Sequence, residues 1–92
     1  MRAPEAGSPP GRYPCPCCGC RTLPVPREEA LAFICPVCFW ENDVFTAFGG
    51  EEPSDCNHGM TLNEARANYR ALGACEAAML PHIRPPLGPE RP

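Results

Sequence analysis

The hydrophobic positions of this 92-residue chain are concentrated in its centre, between two polar ends that contain several prolines. The most apolar run covers residues 32–40, AFICPVCFW. A short apolar run broken by Cys-Pro predicts one strand leading into a turn and a second strand leading out of it. The expected core residues of this run are Phe33, Ile34, Val37, Phe39 and Trp40. The segment YPCPCCGCRTL, residues 13–23, predicts a hairpin with its own tight turn.

A helical pattern follows in the second half of the chain. Four apolar residues recur at the spacing of one helix face: Leu62, Ala65, Tyr69 and Leu72. Residues 61–64, TLNE, have the sequence of a capping box, and Gly73 is a typical helix terminator. The pattern predicts a helix from about residue 62 to 72 that covers the hairpins. Residues 74–80 predict a further helical turn, which Pro81 ends.

The remaining segments are predicted to connect or flank these elements. Residues 24–31 contain two prolines and then a charged patch, which is typical of a linker, and residues 51–58 form a polar loop. Between them, residues 44–48 precede a turn at Gly49-Gly50. Residues 1–12 and 81–92 are rich in proline and short of apolar residues. We therefore predict one domain, residues 13–80, between two disordered tails.

So small a domain seldom folds by apolar burial alone, and a structural metal is a common remedy. The eight cysteines could instead form disulfides, but this needs an oxidising compartment and normally a signal peptide. Residues 1–12 contain no apolar run, and no segment is long enough to span a membrane. These features favour a reduced, metal-binding protein in the cytoplasm.

The cysteine spacing predicts where the metal binds. Cys15 and Cys18, then Cys35 and Cys38, have the spacing of a four-cysteine zinc site made of two knuckles. The overlapping pair Cys17/Cys20 is the alternative for the first knuckle. We favour Cys15/Cys18 because proline follows the first cysteine, glycine follows the second, and Cys-Pro-x-Cys recurs at 35–38. Four thiolates predict one closed, structural Zn²⁺ per chain, with iron as the chemical alternative.

Other potential ligands are predicted to have structural roles. A second metal cluster would combine four residues: Cys17, Cys20, Cys56 and His58. The favoured alternative is that Cys17 sits at the tip of the knuckle, Cys20 packs as a small apolar residue, and His58 orders its loop. A redox role for a spare CxxC pair lacks the βαβ context in which such pairs usually act.

Two further functions stay open as alternatives. Glu41, Asp43 and His58 could hold a metal or activate water in a hydrolytic enzyme, or could simply bind backbone groups. A nucleic-acid-binding zinc ribbon would need four arginines on one face near Trp40: Arg12, Arg21, Arg66 and Arg70. The net charge of −3, which a four-thiolate zinc site lowers by a further two units, makes nucleic acid a poor main partner.

Three segments together resemble the cysteine-rich CPCC family of small bacterial proteins: YPCPCCGCRTL, FICPVCFWEND and CNHGMTLNEARANYRALG. The resemblance covers residues 13 to about 73 and implies a zinc-ribbon-like domain with a following helix. It implies no particular activity. The family usually has an aromatic residue in place of Cys20, so the resemblance implies that Cys20 is not a required ligand. Cys56 and Cys75 are particular to this chain, whereas Asn57-His58 follows the family pattern.

These observations predict a small α+β metal-stabilised domain: a zinc-ribbon-like pair of knuckles with short antiparallel strands and one following helix. The metal ligands are expected to be Cys15, Cys18, Cys35 and Cys38. Since such a centre is structural, the expected function is that of an acidic module that binds another protein, with no membrane association.

Overall fold

The computed structural model describes residues 13–44 and 50–92. Its elements follow in this order: β1 (Tyr13–Pro14), β2 (Arg21–Leu23), β3 (Pro53–Ser54), a 3-10 turn (Asp55–Asn57), β4 (Met60–Thr61), α1 (Leu62–Leu72), and two 3-10 turns (Ala77–His82 and Gly88–Glu90). Two antiparallel strand pairs and one α-helix in these residues confirm the predicted small α+β class. The predicted tail at residues 1–12 and most of the segment 44–49 lie outside the described residues.

The first hairpin forms as predicted, but the second apolar run makes less β-structure than expected. β1 pairs with β2, and Tyr13 lies opposite Leu23. In residues 32–40 and their flanks, the pairing is a single bridge between Ile34 and Glu41. On the side away from this bridge, the Glu41 backbone bonds to the Asn57 side chain and not to a further strand: Oδ1 accepts from the Glu41 N–H at 2.9 Å, and Nδ2 donates to the Glu41 carbonyl at 2.8 Å.

The core is built mainly from cysteines and a few larger apolar side chains. Six cysteines are buried: Cys15, Cys17, Cys20, Cys35, Cys38 and Cys75. The predicted core residues Val37 and Trp40 are buried beside them, as is Leu23. The prediction was wrong for Ile34, which is 42% exposed. Its bridge to Glu41 uses the backbone and leaves the side chain at the edge of the fold.

Helix α1 begins and ends where the capping signals predict. Thr61 Oγ1 accepts from the Glu64 N–H at 3.0 Å, and the Glu64 side chain accepts from the Thr61 N–H at 2.8 Å. Gly73 ends the helix with φ 88°, and its N–H donates to the Tyr69 carbonyl. The left-handed turn at this position requires glycine's freedom.

The buried side of the helix is shorter than predicted. Leu62 and Ala65 are buried, but Leu72 is 46% exposed. Directly after Gly73, Ala74 and Cys75 are buried, and Cys75 belongs to the core cluster that Leu72 was expected to join. The Cys75 N–H donates to the Cys38 carbonyl at 2.8 Å and thereby joins the end of the helix to the second cysteine pair.

The segment after the helix departs from two expectations. The short 3-10 turn Ala77–His82 contains Pro81, so Pro81 does not end the helical turn. A single 3-10 turn needs few backbone donors, and one missing N–H costs it little. Residues 81–92 also make contacts that a disordered tail would lack: the buried Glu90 carboxylate accepts two hydrogen bonds of 2.8 Å from the Arg84 guanidinium.

The C-terminal contacts continue toward the cysteine pairs. The Arg84 backbone N–H donates to the Pro36 carbonyl at 3.1 Å, and the turn Gly88–Glu90 packs against β2. The prolines of residues 81–92 have little backbone freedom to lose when this segment packs. The Arg84–Glu90 ion pair that holds the segment cannot be inferred from composition alone. The domain limits at residues 12 and 80 stay a prediction. In the part of the chain that the structure describes, no helix has the length and apolar character needed to cross a bilayer.

Candidate metal centre

Residues 15–20 form a tight loop, the first knuckle, that carries cysteines at its first and fourth positions. The Cys15 N–H donates to the Cys20 carbonyl and the Gly19 N–H donates to the Cys15 carbonyl, both at 2.8 Å. Gly19, directly after the second of these cysteines, has φ 79°. A left-handed residue at this point turns the chain back so that both sulfurs face the same side.

Residues 35–40, the second knuckle, repeat the hydrogen bonds of the first. The Cys35 N–H donates to the Trp40 carbonyl at 3.0 Å, and the Phe39 N–H donates to the Cys35 carbonyl at 2.8 Å. Phe39 takes the place of Gly19 and has φ 69°. A left-handed backbone costs a residue with a Cβ about 1–2 kcal/mol. The turn of the second knuckle therefore forms at a conformational cost that the first knuckle, with glycine, avoids.

The two knuckles bring four sulfurs together. The Sγ atoms of Cys15, Cys18, Cys35 and Cys38 all lie within 4.8 Å of one another. Cys15 Sγ is 3.7 Å from Cys38 Sγ, and Cys18 Sγ is 3.7 Å from Cys35 Sγ. Tetrahedral ligation with metal–sulfur bonds of about 2.3 Å places sulfurs about 3.8 Å apart. The cluster can therefore hold a tetrahedrally coordinated metal ion, and it consists of the four cysteines predicted from their spacing.

The matching geometry of the two knuckles explains why Cys17 and Cys20 do not join the four-cysteine cluster. Cys17 occupies the position of Val37 in the second knuckle, and Cys20 occupies the position of Trp40. All four of these side chains are at most 7% exposed. In both knuckles these two positions pack into the core, whereas the first and fourth positions face the opposite knuckle. Cys20 therefore packs as a small apolar residue, as favoured from the sequence, whereas Cys17 is also buried in the core and does not sit as a spectator at the tip of the knuckle.

The pKa values of the clustered thiols shift in opposite directions because the sulfurs hydrogen-bond to one another and are buried close together. The neighbouring thiols of Cys15 and then Cys18 donate hydrogen bonds that hold the pKa of Cys35 well below its usual range. Cys15 and then Cys35, together with burial, raise the pKa of Cys18 well above it. Four adjacent thiolates would repel one another, so a metal-free cluster keeps protons on some sulfurs. A divalent cation removes this conflict by offsetting two of the four charges.

Arginine residues support the proline of each knuckle from outside. The Arg66 side chain, on α1, donates from Nε to the Pro16 carbonyl at 2.9 Å. At the equivalent position of the second knuckle, the Pro36 carbonyl accepts from the Arg84 backbone. The helix and the C-terminal segment thus satisfy equivalent carbonyl groups, one in each knuckle.

The alternative second cluster does not come together. Cys56 is exposed and its Sγ lies 3.4 Å from Ser54 Oγ, whereas the His58 ring pairs with Glu76 at 2.7 Å on the surface. In the described residues, the only group of three or more Cys, His, Asp or Glu with ligand atoms this close is the four-cysteine cluster. Burial, and then the Cys17 sulfur, raise the pKa of Cys75 to about 12, so Cys75 is a neutral core thiol.

The three residues of the hydrolytic hypothesis also lie apart. Glu41 and Asp43 line an open depression of about 540 Å³ beside Cys56, where Asp43 accepts a 2.7 Å hydrogen bond from Ser54. His58 lines a different depression, with Glu64 and Glu76. The structure therefore gives this trio no common site.

Two residues of the nucleic-acid hypothesis, Trp40 and Arg66, are used within the fold, whereas Arg21 and Arg70 are exposed. Trp40 is 2% exposed, so its ring cannot serve as a stacking platform for bases. Arg66 is engaged by Pro16 and Asn63, and Arg12 lies outside the described residues. This geometry gives no support to a basic, aromatic surface.

Two buried polar residues have contacts that the sequence did not predict. Thr22, on β2, is buried, and its hydroxyl lies 3.1 Å from Cys35 Sγ. Strand alternation from the exposed Arg21 would have placed Thr22 inward, but nothing local indicates which cysteine it meets. Asn57 is also buried, and its role depends on the Glu41 backbone sixteen residues earlier. Such distant partners leave no signal in local sequence.

Comparison with known proteins gives one match. The family described as Cysteine-rich CPCC matches residues 13–90, which include both knuckles, α1 and most of the C-terminal segment. No curated protein and no solved structure matches the chain.

Proposed function

The chain belongs to the cysteine-rich CPCC family, and we propose that it is a small zinc protein whose metal has a structural role. The observation that carries this proposal is the cluster of Cys15, Cys18, Cys35 and Cys38 sulfurs within 4.8 Å of one another. Four thiolates suit zinc, with iron as the chemical alternative. Because they leave no open position for water or substrate, the centre stabilises the fold and performs no catalysis.

The composition of the core supports a structural role for the metal. Among the fully buried side chains of residues 13–44 and 50–92, only Trp40, Leu23 and Val37 are large and apolar, and most of the others are cysteines. A core of this size contributes little margin against the entropy of folding. Zinc binding at small structural sites contributes an apparent 10–16 kcal/mol or so, which is enough to decide whether the chain folds.

A chelator titration tests whether folding and metal binding are one event. Protein purified without added zinc is expected to contain about one zinc per chain. On titration with a strong chelator, zinc release, loss of helical circular dichroism and the change in Trp40 fluorescence should then coincide. The same chelator, preloaded with zinc, is the control and should change nothing.

Two outcomes of this titration would contradict the proposal. If the helix persists with Trp40 still buried after all metal is removed, the core stands without it and the metal is not structural. If the purified protein contains two zinc ions per chain, a further set of residues binds metal and the single-site account is wrong.

We further propose that the domain acts by binding another protein. Because a closed metal site cannot bind a substrate, the function is expected to lie on the protein surface. The described residues expose several large apolar side chains: Tyr13, Leu31, Ile34, Leu72, Leu80 and Leu87. The net charge of −3 argues against nucleic acid as the partner. A pulldown from the protein's own cell lysate, with metal retained, is expected to capture a partner that the chelator-treated protein fails to capture. Capture of nucleic acid instead would overturn the proposal.

The thiol chemistry supports a cytoplasmic location. None of the eight cysteines, which all lie in the described part of the chain, forms a disulfide. Thiolates bind metal only in the reduced state, and the cytosol keeps them reduced. Fractionation of cells that produce the tagged full chain is expected to place it in the cytoplasm, and recovery from an oxidising compartment would contradict this.

A further inference from the structure

One side chain from outside the knuckles contacts a sulfur of the cluster. Thr22 Oγ1 lies 3.1 Å from Cys35 Sγ. Thr22 is 5% exposed, and the turn Gly88–Glu90 packs against the strand that carries it. A buried hydroxyl needs a hydrogen-bond partner. Among the residues that the structure describes, the Cys35 sulfur is the one that this hydroxyl has.

The charge of the sulfur decides the direction of this hydrogen bond. A hydroxyl and a thiol can each donate or accept, but a thiolate only accepts. When Cys35 is a metal-bound thiolate, the Thr22 hydroxyl must donate to it. A hydrogen bond to an ionised acceptor is stronger than one between neutral groups, and it draws electron density from the sulfur.

The contact makes the two halves of the centre unequal. Thr22 follows the first knuckle by two residues, and Asn42 follows the second by the same number. Asn42, however, donates to the Arg27 and Ala30 carbonyls and does not reach a sulfur. Within the described residues, Cys35 is thus the one sulfur of the four-cysteine cluster with a hydroxyl within hydrogen-bond distance. Thr22 and Asn42 therefore have different roles, although they occupy equivalent positions after the two knuckles.

We propose that Thr22 is a positioning residue of the metal centre, which donates a hydrogen bond to the Cys35 thiolate and sets that ligand's orientation and electron density. The inference rests on the proposed metal-binding function. Hydrogen-bonded groups just outside a metal's ligands commonly change metal affinity by 10–100-fold when they are removed. Since one hydroxyl acts on one of four ligands here, we expect the lower end of that range.

Cobalt(II) substitution of the full chain tests the role directly. Thr22→Val keeps the shape of the side chain and removes its hydroxyl. This variant should shift the sulfur-to-cobalt charge-transfer band to lower energy and weaken Co²⁺ binding about tenfold. Thr22→Ser, which keeps the hydroxyl, should retain the wild-type band and affinity. Thr61→Val is the matched control, because it removes a hydroxyl that accepts from the Glu64 N–H and has no hydrogen bond to a sulfur, and it should leave the band unchanged.

The outcomes separate this inference from the function on which it rests. A wild-type protein without a tetrahedral thiolate spectrum in Co²⁺ would refute metal binding itself and the inference with it. If wild type binds Co²⁺ but Thr22→Val has the same band and affinity, the inference alone fails. It also fails if Thr61→Val or Thr22→Ser reproduces the shift. Should Thr22→Val not fold, Thr22→Ala provides the hydroxyl-free protein, and an unshifted band in it overturns the inference.

Discussion

Replacing Gly19 with alanine isolates the cost of the left-handed backbone in the first knuckle. Gly19 has φ 79°, a conformation that L side chains rarely adopt. A Cβ added there meets no heavy atom within 4 Å, so packing does not oppose the substitution. The expected penalty is therefore conformational, about 1–2 kcal/mol. The second knuckle shows that the loop can bear it, since Phe39 has φ 69°.

The penalty should appear in the apparent affinity for zinc, because the metal-free chain is expected to be unfolded. A loss of 1–2 kcal/mol corresponds to roughly 5–30-fold weaker binding, measured by competition with a chelator at constant pH. Gly88→Ala is the matched control. Its φ lies outside the left-handed region, and an added Cβ also meets nothing within 4 Å. Its affinity should stay within about twofold of wild type.

Either of two results would refute this reasoning. Equal affinities for Gly19→Ala and Gly88→Ala would show that the left-handed turn costs nothing and is not what shapes the knuckle. Complete loss of metal binding in Gly19→Ala, with Gly88→Ala normal, would show that glycine has a role beyond its backbone freedom.

Two further predictions concern the knuckle and the C-terminal segment. Cys17→Val should retain its metal, because Val37 fills the equivalent buried position of the second knuckle, whereas Cys18→Ser should lose it. Metal analysis of the two purified variants is the test. Loss of metal in Cys17→Val would contradict the assignment. The Arg84 guanidinium holds the pKa of the Glu90 carboxyl below its usual range. The ionised carboxylate therefore stabilises the fold fully at pH values above its unfolded-state pKa. This stabilisation is lost as pH falls through the lower, folded-state pKa. In denaturant unfolding at saturating zinc, Glu90→Gln should be about 2 kcal/mol less stable than wild type near pH 7. The difference should begin to narrow as pH falls toward the usual carboxyl pKa, compared only at pH values where metal analysis shows zinc still bound. A Glu90→Gln variant as stable as wild type near pH 7 would contradict the role of this charge.

The helix and the cysteine cluster could be predicted because their signals are local. The capping box of Thr61 and Glu64 and the stop at Gly73 are contained in the residues that make the helix, and α1 has the predicted bounds. The choice of Cys15 and Cys18 over the overlapping pair followed from the turn preferences of proline and glycine within six residues. The structure brings together the four sulfurs that this choice selected.

The features that could not be predicted depend on contacts between residues far apart in sequence, or on a conformational cost that the rest of the fold offsets. Ile34 is apolar and lies next to a cysteine of the four-cysteine cluster, yet it stays at an edge, where the fold has only a backbone bridge. Phe39 adopts a conformation that its residue type disfavours, which no propensity would predict. The Arg84–Glu90 pair depends on a chain path that brings residue 84 back to Pro36. Composition alone indicated disorder for that segment because prolines dominate it.

The hydrogen bond from Cys75 to Cys38 has a consequence for how the protein opens. The Gly73 amide bonds within the last turn of the helix and can exchange with solvent by local fraying. The Cys75 amide, two residues later, bonds to the carbonyl of a cysteine in the metal cluster and can exchange only when the second knuckle separates from the end of the helix. Neighbouring amides should therefore report on different events in hydrogen–deuterium exchange. The protection of Cys75 would measure the cooperative opening that precedes metal release, and that of Gly73 would not.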